Sequence, residues 1–168
     1  MCNGALTIGT MDGANVEMAQ EVGQEHMFIF GHGADEIEQM KTTYDPYSWV
    51  KKDVEIQKCV ELLSSNFFNI MEPGIFEPLK RALFSEGDKY FHFADLRSYS
   101  DAHLAATTMY ANDKDLWAKK AILNIAHSGK FSSDRTILEY TNEIWKAKRC
   151  PIDIDSSSNS TMKSARKR

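Results

Sequence analysis

The strongest constraint on how this chain can fold lies in its first thirty-one residues. Met27-Phe28-Ile29-Phe30 is an unbroken apolar run closed by Gly31. A strand with one wet face alternates apolar and polar residues, whereas a continuous run reads as a strand covered on both faces, as in a parallel sheet. Earlier, Ala5-Leu6-Thr7-Ile8 has β character and is closed by Gly9. Asp12-Gly13 then turns the chain into residues 14–21, which have helical composition and Asp12 as a candidate N-cap. Parallel strands need a crossover connection, so strand, turn, helix and strand together read as one βαβ unit.

Beyond Gly31 the pattern is helical. Ile56, Cys59, Val60, Leu63 and Phe67 share one face of a helix expected over residues 54–67. Pro73-Gly74 breaks the chain before Phe76, Leu79 and Leu83 repeat at helical spacing. Residues 89–94 fit a short strand or a turn equally well. Helices are expected over 99–110 and 116–125, the second with Trp117, Ala118, Ala121, Ile122 and Ile125 as its apolar stripe. Ser132 or Ser133 caps a last helix, in which Ile137, Tyr140, Thr141, Ile144 and Trp145 are expected to face inward. Phe67-Phe68 and the three tryptophans Trp49, Trp117 and Trp145 sit at core-like spacings and read as packing. Pro151 and the Ser-rich stretch 156–160 close the folded part, residues 1–148. Residues 149–168, ending Arg166-Lys167-Arg168, read as a disordered, solvated basic tail.

Composition narrows the class. Apolar residues make up 42% of the 168 and charged residues 26%, as in a soluble globular protein. The net charge of −4, with no basic patch in the body of the chain, argues against a nucleic-acid partner. Cys2, Cys59 and Cys150 are scattered and odd in number, the pattern of reduced thiols in a cytoplasmic protein rather than a disulfide framework. No signal-peptide layout opens the chain and no apolar stretch reaches membrane-spanning length.

Residue chemistry alone assigns no function. Residues 9–15, Gly-Thr-Met-Asp-Gly-Ala-Asn, join a strand to a helix N-terminus, a junction where free N–H groups can hold phosphate. They lack the full glycine fingerprint and the lysine of a phosphate loop, and a tight βα turn with glycines chosen for φ is the simpler reading. His26, His32, His92, His103 and His127 show no metal-ligand spacing, so surface or packing roles are expected and no metal. The polar run 129–136 reads as a helix entry with a capping serine rather than a phosphate loop.

Longer stretches carry more. Residues 3–18, Asn-Gly-Ala-Leu-Thr-Ile-Gly-Thr-Met-Asp-Gly-Ala-Asn-Val-Glu-Met, closely resemble the segment after the cofactor lysine of glycogen and starch phosphorylases. Phe28-Ile29-Phe30-Gly31, Ser64-Ser65-Asn66-Phe67-Phe68, Phe93-Ala94-Asp95, the run 128–137 and Glu143-Ile144-Trp145 recur in that family at similar spacing. The resemblance runs in register from Met1 to about Trp145. Departures are mild: Cys2 and Asn66 stand where relatives commonly carry an aliphatic residue and a glycine, and His32-Gly33 is unusual.

The resemblance implies an α/β fold, the C-terminal part of a Rossmann-like domain in a two-domain (GT-B type) glycosyltransferase, mostly helical after residue 31. It implies a transferase that releases glucose 1-phosphate from α-1,4-glucan with inorganic phosphate, soluble, cytoplasmic and homodimeric when full length. The implied cofactor is pyridoxal 5′-phosphate, whose phosphate takes part in acid–base chemistry. The Schiff-base lysine would lie two positions before Met1, and Lys41, Lys51, Lys52 and the later lysines match no such position. No catalytic, cofactor-binding or metal-binding residue is therefore assigned within the chain, which alone is expected neither to bind the cofactor nor to act. Residues 5–30 are expected to support the cofactor pocket by packing. Met1 is expected to be an internal methionine of a longer product; a non-catalytic remnant acting as a folding or interaction module is the other reading.

Overall fold

The computed structural model describes residues 1–148 and Cys150. The remainder of the expected tail over 149–168 lies outside the described residues. Two compact units are present, one over Met1–Lys130 and a second beginning at Phe131.

The first unit opens with the βαβ element that the apolar runs require. Strand β1 (Ile8–Gly9), helix α1 (Ala14–Val22) and strand β2 (Phe28–Ile29) follow one another, with a 3-10 turn at Gln24–His26 before β2. The strands are parallel, with Ile8 opposite Phe28 and Gly9 opposite Ile29. Phe28 N donates to Thr7 O at 2.9 Å and Phe30 N to Gly9 O at 3.1 Å. Both strands are shorter than the runs that announce them, and Phe28 and Ile29 are half-buried rather than enclosed. Ala19 and Val22 of α1 pack with Met27 as one small core, flanked by Met18, Ile29 and Leu123.

The helices that follow are α2 (Ala34–Met40), α3 (Pro46–Lys51), α4 (Val54–Ser64), α5 (Glu77–Lys80), α6 (His92–Asn112) and α7 (Lys114–Ala126), with a π-helical turn at Arg81–Ser85 after α5. Aspartates start three of them. The Asp45 carboxylate accepts from Tyr47 N and Ser48 N, with Pro46 in the first helical turn, and Asp53 accepts from Glu55 N and Ile56 N. Asp113 ends α6 and caps α7 by accepting from Leu116 N. Asp12 does not cap α1: Gly13 holds that position at φ 49°, and Asp12 instead accepts from Thr10 Oγ1 at 2.9 Å. Val50, Ile56 and Phe93 form the second core, flanked by Trp49, Val60, Leu83, Phe84 and Leu96.

Residues 89–94 resolve into a left-handed entry to a helix. Asp88 (φ 46°) and Phe91 (φ 58°) turn the chain, and α6 begins at His92. The Asn66 backbone is also left-handed (φ 59°), a conformation that asparagine tolerates better than most residues. Its side-chain oxygen accepts from Gly74 N and from Asn69 Nδ2, both at 2.9 Å, closing the loop between α4 and α5.

Several faces expected to pack do not. Helix α4 buries Ile56, but Cys59 is exposed and Phe67, beyond the helix end, is 62% exposed beside an equally exposed Phe68. On α7, Ile122 and Ile125 are exposed, whereas Lys120 and Asn124 are buried against the turn at Glu25 and His26. The second unit holds α8 (Ser133–Glu139) and a π-helical turn, Tyr140–Trp145. Ser132 occupies the N-cap of α8, but its carbonyl rather than its hydroxyl does the work, accepting from Thr136 N and Oγ1. Ile137, Tyr140, Ile144 and Trp145 are exposed, so the expected inward face is not formed there.

Candidate functional site

In an open parallel sheet, ligand sites lie outside the carboxyl ends of the strands. Here those ends are the loop after β1 and the turn after β2, and each is held by specific side chains.

After β1 the chain doubles back on itself through Asn15. Its Nδ2 donates to Thr10 O at 2.8 Å, and Asn15 N donates to Asp12 O at 3.0 Å. A Cβ at Gly9 would sit 2.6 Å from Asn15 Nδ2, so a larger residue there would displace the Asn15 side chain from this closure. The groups at the entrance of α1 are the Asp12 carboxylate and, in the first turn, Glu17. Two carboxylates oppose an anion at a helix N-terminus, so the tight-turn reading of residues 9–15 prevails over a phosphate site.

After β2 the holding groups come from α6. Ser98 Oγ accepts from Gly31 N at 3.0 Å, and Asp95 Oδ1 accepts from His32 N at 3.0 Å. The same carboxylate oxygen lies 2.9 Å from His32 Nδ1. Gly31 has φ 76°, and a Cβ on it would fall 2.8 Å from the Asp95 carboxyl group. Only glycine permits this approach. Asp95 thereby fixes both the backbone of the turn and the imidazole plane of His32, which meets Trp49 edge-on at 6.0 Å. Phe93-Ala94-Asp95 thus unites a core residue with the carboxylate that organises this turn.

The second polar cluster sits at the start of α6. Asp88 is 1% exposed. It accepts from Tyr44 OH at 2.7 Å and Phe93 N at 3.1 Å, and meets His92 Nδ1 at 2.5 Å. Burial by itself would raise the Asp88 carboxyl, but the donors Tyr44, His92 and Phe93 N outweigh it and hold it below the ordinary range. Tyr44 moves the opposite way: burial first, then the hydrogen bond and charge of Asp88, push its phenol far above its usual value. At the other end of α6's first turns, Arg97 reaches Asp53 and Glu55, both at 2.6 Å. The hydrogen bond from Arg97 lowers the Asp53 carboxyl.

Of the expected positions, His32 and His92 are partnered by aspartates, His103 lies against the Tyr99 ring, and His127 Nδ1 meets Leu123 O. Cys2, Cys59 and Cys150 are exposed free thiols. No helix among the described residues is long and apolar enough to cross a membrane. Asp88, Tyr44, Ser98, Lys120 and Asn124 were not singled out from the sequence. Each acts on a backbone group or side chain at least four residues away, and no local spacing announces that.

The fold and its strand-end turns define an α/β protein with its polar groups gathered at the strand ends, and comparison with known proteins gives the family. The carbohydrate phosphorylase model matches residues 1–147. The glycogen phosphorylase of Chlamydia pneumoniae is 45% identical over 143 residues, covering 85% of this chain and 17% of that protein. The glycogen phosphorylase of Synechocystis sp. is 42% identical over 154 residues, 91% of this chain and 18% of its own. The brain form of glycogen phosphorylase from Rattus norvegicus is 44% identical over 155 residues, 92% and 18% respectively. The chain belongs to the carbohydrate phosphorylase family, and it spans less than a fifth of the length of these relatives.

Proposed function

We propose that this chain forms the closing part of the second Rossmann-like domain of a GT-B type α-1,4-glucan phosphorylase, an enzyme that releases glucose 1-phosphate from glycogen or starch with inorganic phosphate. The observation that carries this reading is 45% identity over 85% of the chain to a glycogen phosphorylase. Within such an enzyme the chain's contribution is positional. Asn15 and Gly9 close the turn after β1, and Asp95 and Ser98 fix the turn after β2, so that two strand ends face the reaction from a rigid support.

The family's cofactor is pyridoxal 5′-phosphate, and these residues do not fit it by themselves. The side chains gathered at the strand ends are Thr10, Asp12, Asn15, His32, Asp95 and Ser98, with no amine for the aldehyde and no guanidinium for the phosphate. We therefore assign no step of the reaction to this chain. Incubated with the cofactor and reduced with borohydride, the chain alone is expected to carry no stoichiometric adduct. The proposed assembly is cytoplasmic and homodimeric.

A chimera tests the reading. The matching segment of the Chlamydia pneumoniae enzyme is replaced by residues 1–147 of this chain, and glucose 1-phosphate release from glycogen and phosphate is measured. Activity within tenfold of the parent is expected. A soluble chimera that binds the cofactor yet releases no glucose 1-phosphate overturns it, and leaves the non-catalytic module as the better account.

A further inference from the structure

A cavity of about 810 Å³ in the Met1–Lys130 unit lies between α3, α4, α5 and the π-helical turn Arg81–Ser85. That volume is within the range that holds small organic ligands. Its floor is apolar and already in place. Phe84 is fixed by ring contacts with Phe93 at 5.3 Å and Tyr47 at 4.8 Å, Val50 belongs to the second core, and Val60 packs against that core.

The rim is cationic. Lys51 stands on the wall made by the end of α3, and Lys80 and Arg81 on the wall where α5 passes into the π turn. The same lining contains one carboxylate, Glu77, which Lys80 engages at 2.7 Å. Three cations against one carboxylate leave the lining with a net charge of 3 − 1 = +2. Arg81 meets a second carboxylate, Glu86, at 3.3 Å from outside the lining. Gln57 Nε2 donates to Lys51 O at 3.0 Å, which anchors the backbone that carries the Lys51 ammonium. Ser64 and Ser85 also line the groove. The π turn is a further pointer, because such turns are rare and concentrate at functional sites.

We propose that this groove binds an organic phosphate monoester with an apolar body. The body lies on Val60 and Phe84, and the dianion sits between Lys51 on one wall and Arg81 on the other, with the serine hydroxyls as additional donors. An apolar floor alone would take any greasy molecule; the excess of positive charge selects the anion. The inference rests on the groove and is independent of the phosphorylase reading.

The test is calorimetric titration of the full chain with 1-naphthyl phosphate, with 1-naphthol and inorganic phosphate as separate arms. One-to-one binding is expected, at least tenfold tighter than either half alone. Lys51→Gln and Arg81→Gln, on opposite walls and both at exposed side chains, should each weaken it three- to tenfold with an unchanged far-ultraviolet circular dichroism spectrum. Equal affinity for 1-naphthol would mean an apolar site, and equal affinity for inorganic phosphate a bare anion site; either overturns the proposal. So does full affinity in both variants, or no saturation at millimolar ligand.

Discussion

Replacing Asp88 by alanine should destabilise the Met1–Lys130 unit by about 3–5 kcal/mol. The figure follows from what Asp88 holds. Its buried carboxylate is the acceptor for Tyr44 OH, for Phe93 N and for the His92 ring. His92 is largely exposed and rehydrates at little cost, but Phe93 is buried and Tyr44 half-buried. Each buried donor left without an acceptor costs about 1–3 kcal/mol. Asp88 also sits at φ 46°, which alanine tolerates less well than aspartate, by roughly 1 kcal/mol. Asp88→Asn keeps the backbone preference and one acceptor oxygen but points an amide donor at existing donors, so about 2 kcal/mol is expected. Urea denaturation followed by tryptophan fluorescence and circular dichroism measures both. The pH dependence is a second check. The folded carboxyl is held below its ordinary value, so its contribution is present above about pH 3.9 and fades as pH falls through the folded value. The gap between the parent and Asp88→Asn should therefore narrow below about pH 4. An alanine variant within about 1 kcal/mol of the parent, or a gap that ignores pH, would refute this account of the start of α6.

Three further outcomes follow from the same geometry. Tyr44→Phe should cost about 1 kcal/mol at neutral pH; because the folded phenol is shifted upward, its contribution holds below about pH 10 and is lost as pH rises through the folded value, so an ultraviolet tyrosinate titration showing ordinary ionisation would count against it. Gly31→Ala should cost at least about 2 kcal/mol, combining a positive φ with a Cβ 2.8 Å from Asp95, whereas Gly13→Ala, with open space around its Cβ, should cost about 1 kcal/mol; equal thermal shifts for the two would remove the Asp95 contact from the explanation. Asn124→Leu should cost about 2–3 kcal/mol in chemical denaturation, because the His26 carbonyl loses its buried donor, and a neutral or stabilising result would show that this site accepts an apolar replacement.

The βαβ unit was legible because its signals are local: two apolar runs, each stopped by a glycine, with a helix between them. That the strands are parallel follows from that order, whereas the register, Ile8 opposite Phe28, comes from the structure. The start of α6 was not legible. The acceptor for Phe93 N is Asp88, five residues earlier and outside the usual capping position, and the turn runs through a left-handed Phe91 that no propensity favours. The strand-end site was half legible: Gly9, Gly31 and Asp95 lie in stretches that stood out, but the contact between Gly31 and Asp95 spans more than sixty residues of chain. Capping went wrong at Asp12 because the adjacent Gly13 takes the cap position in a conformation that a side chain would resist.

The misread face of α7 has a definite physical cause. Periodicity identifies which face of a helix is apolar, and burial then depends on what the chain can bring against that face. On α7 the apolar stripe predicted Ile122 and Ile125 inside, yet the 3-10 turn before β2 offers backbone carbonyls rather than apolar surface, and the helix turns Lys120 and Asn124 toward them. A carbonyl excluded from water requires a donor, at a cost of about 1–3 kcal/mol if none is supplied. That is comparable to the gain from burying one aliphatic side chain, so the bonds of the buried Lys120 and Asn124 to the carbonyls of Glu25 and His26 can set the rotation of the helix against its own apolar stripe. The exposed isoleucines of α7 are the consequence of satisfying the turn that positions β2.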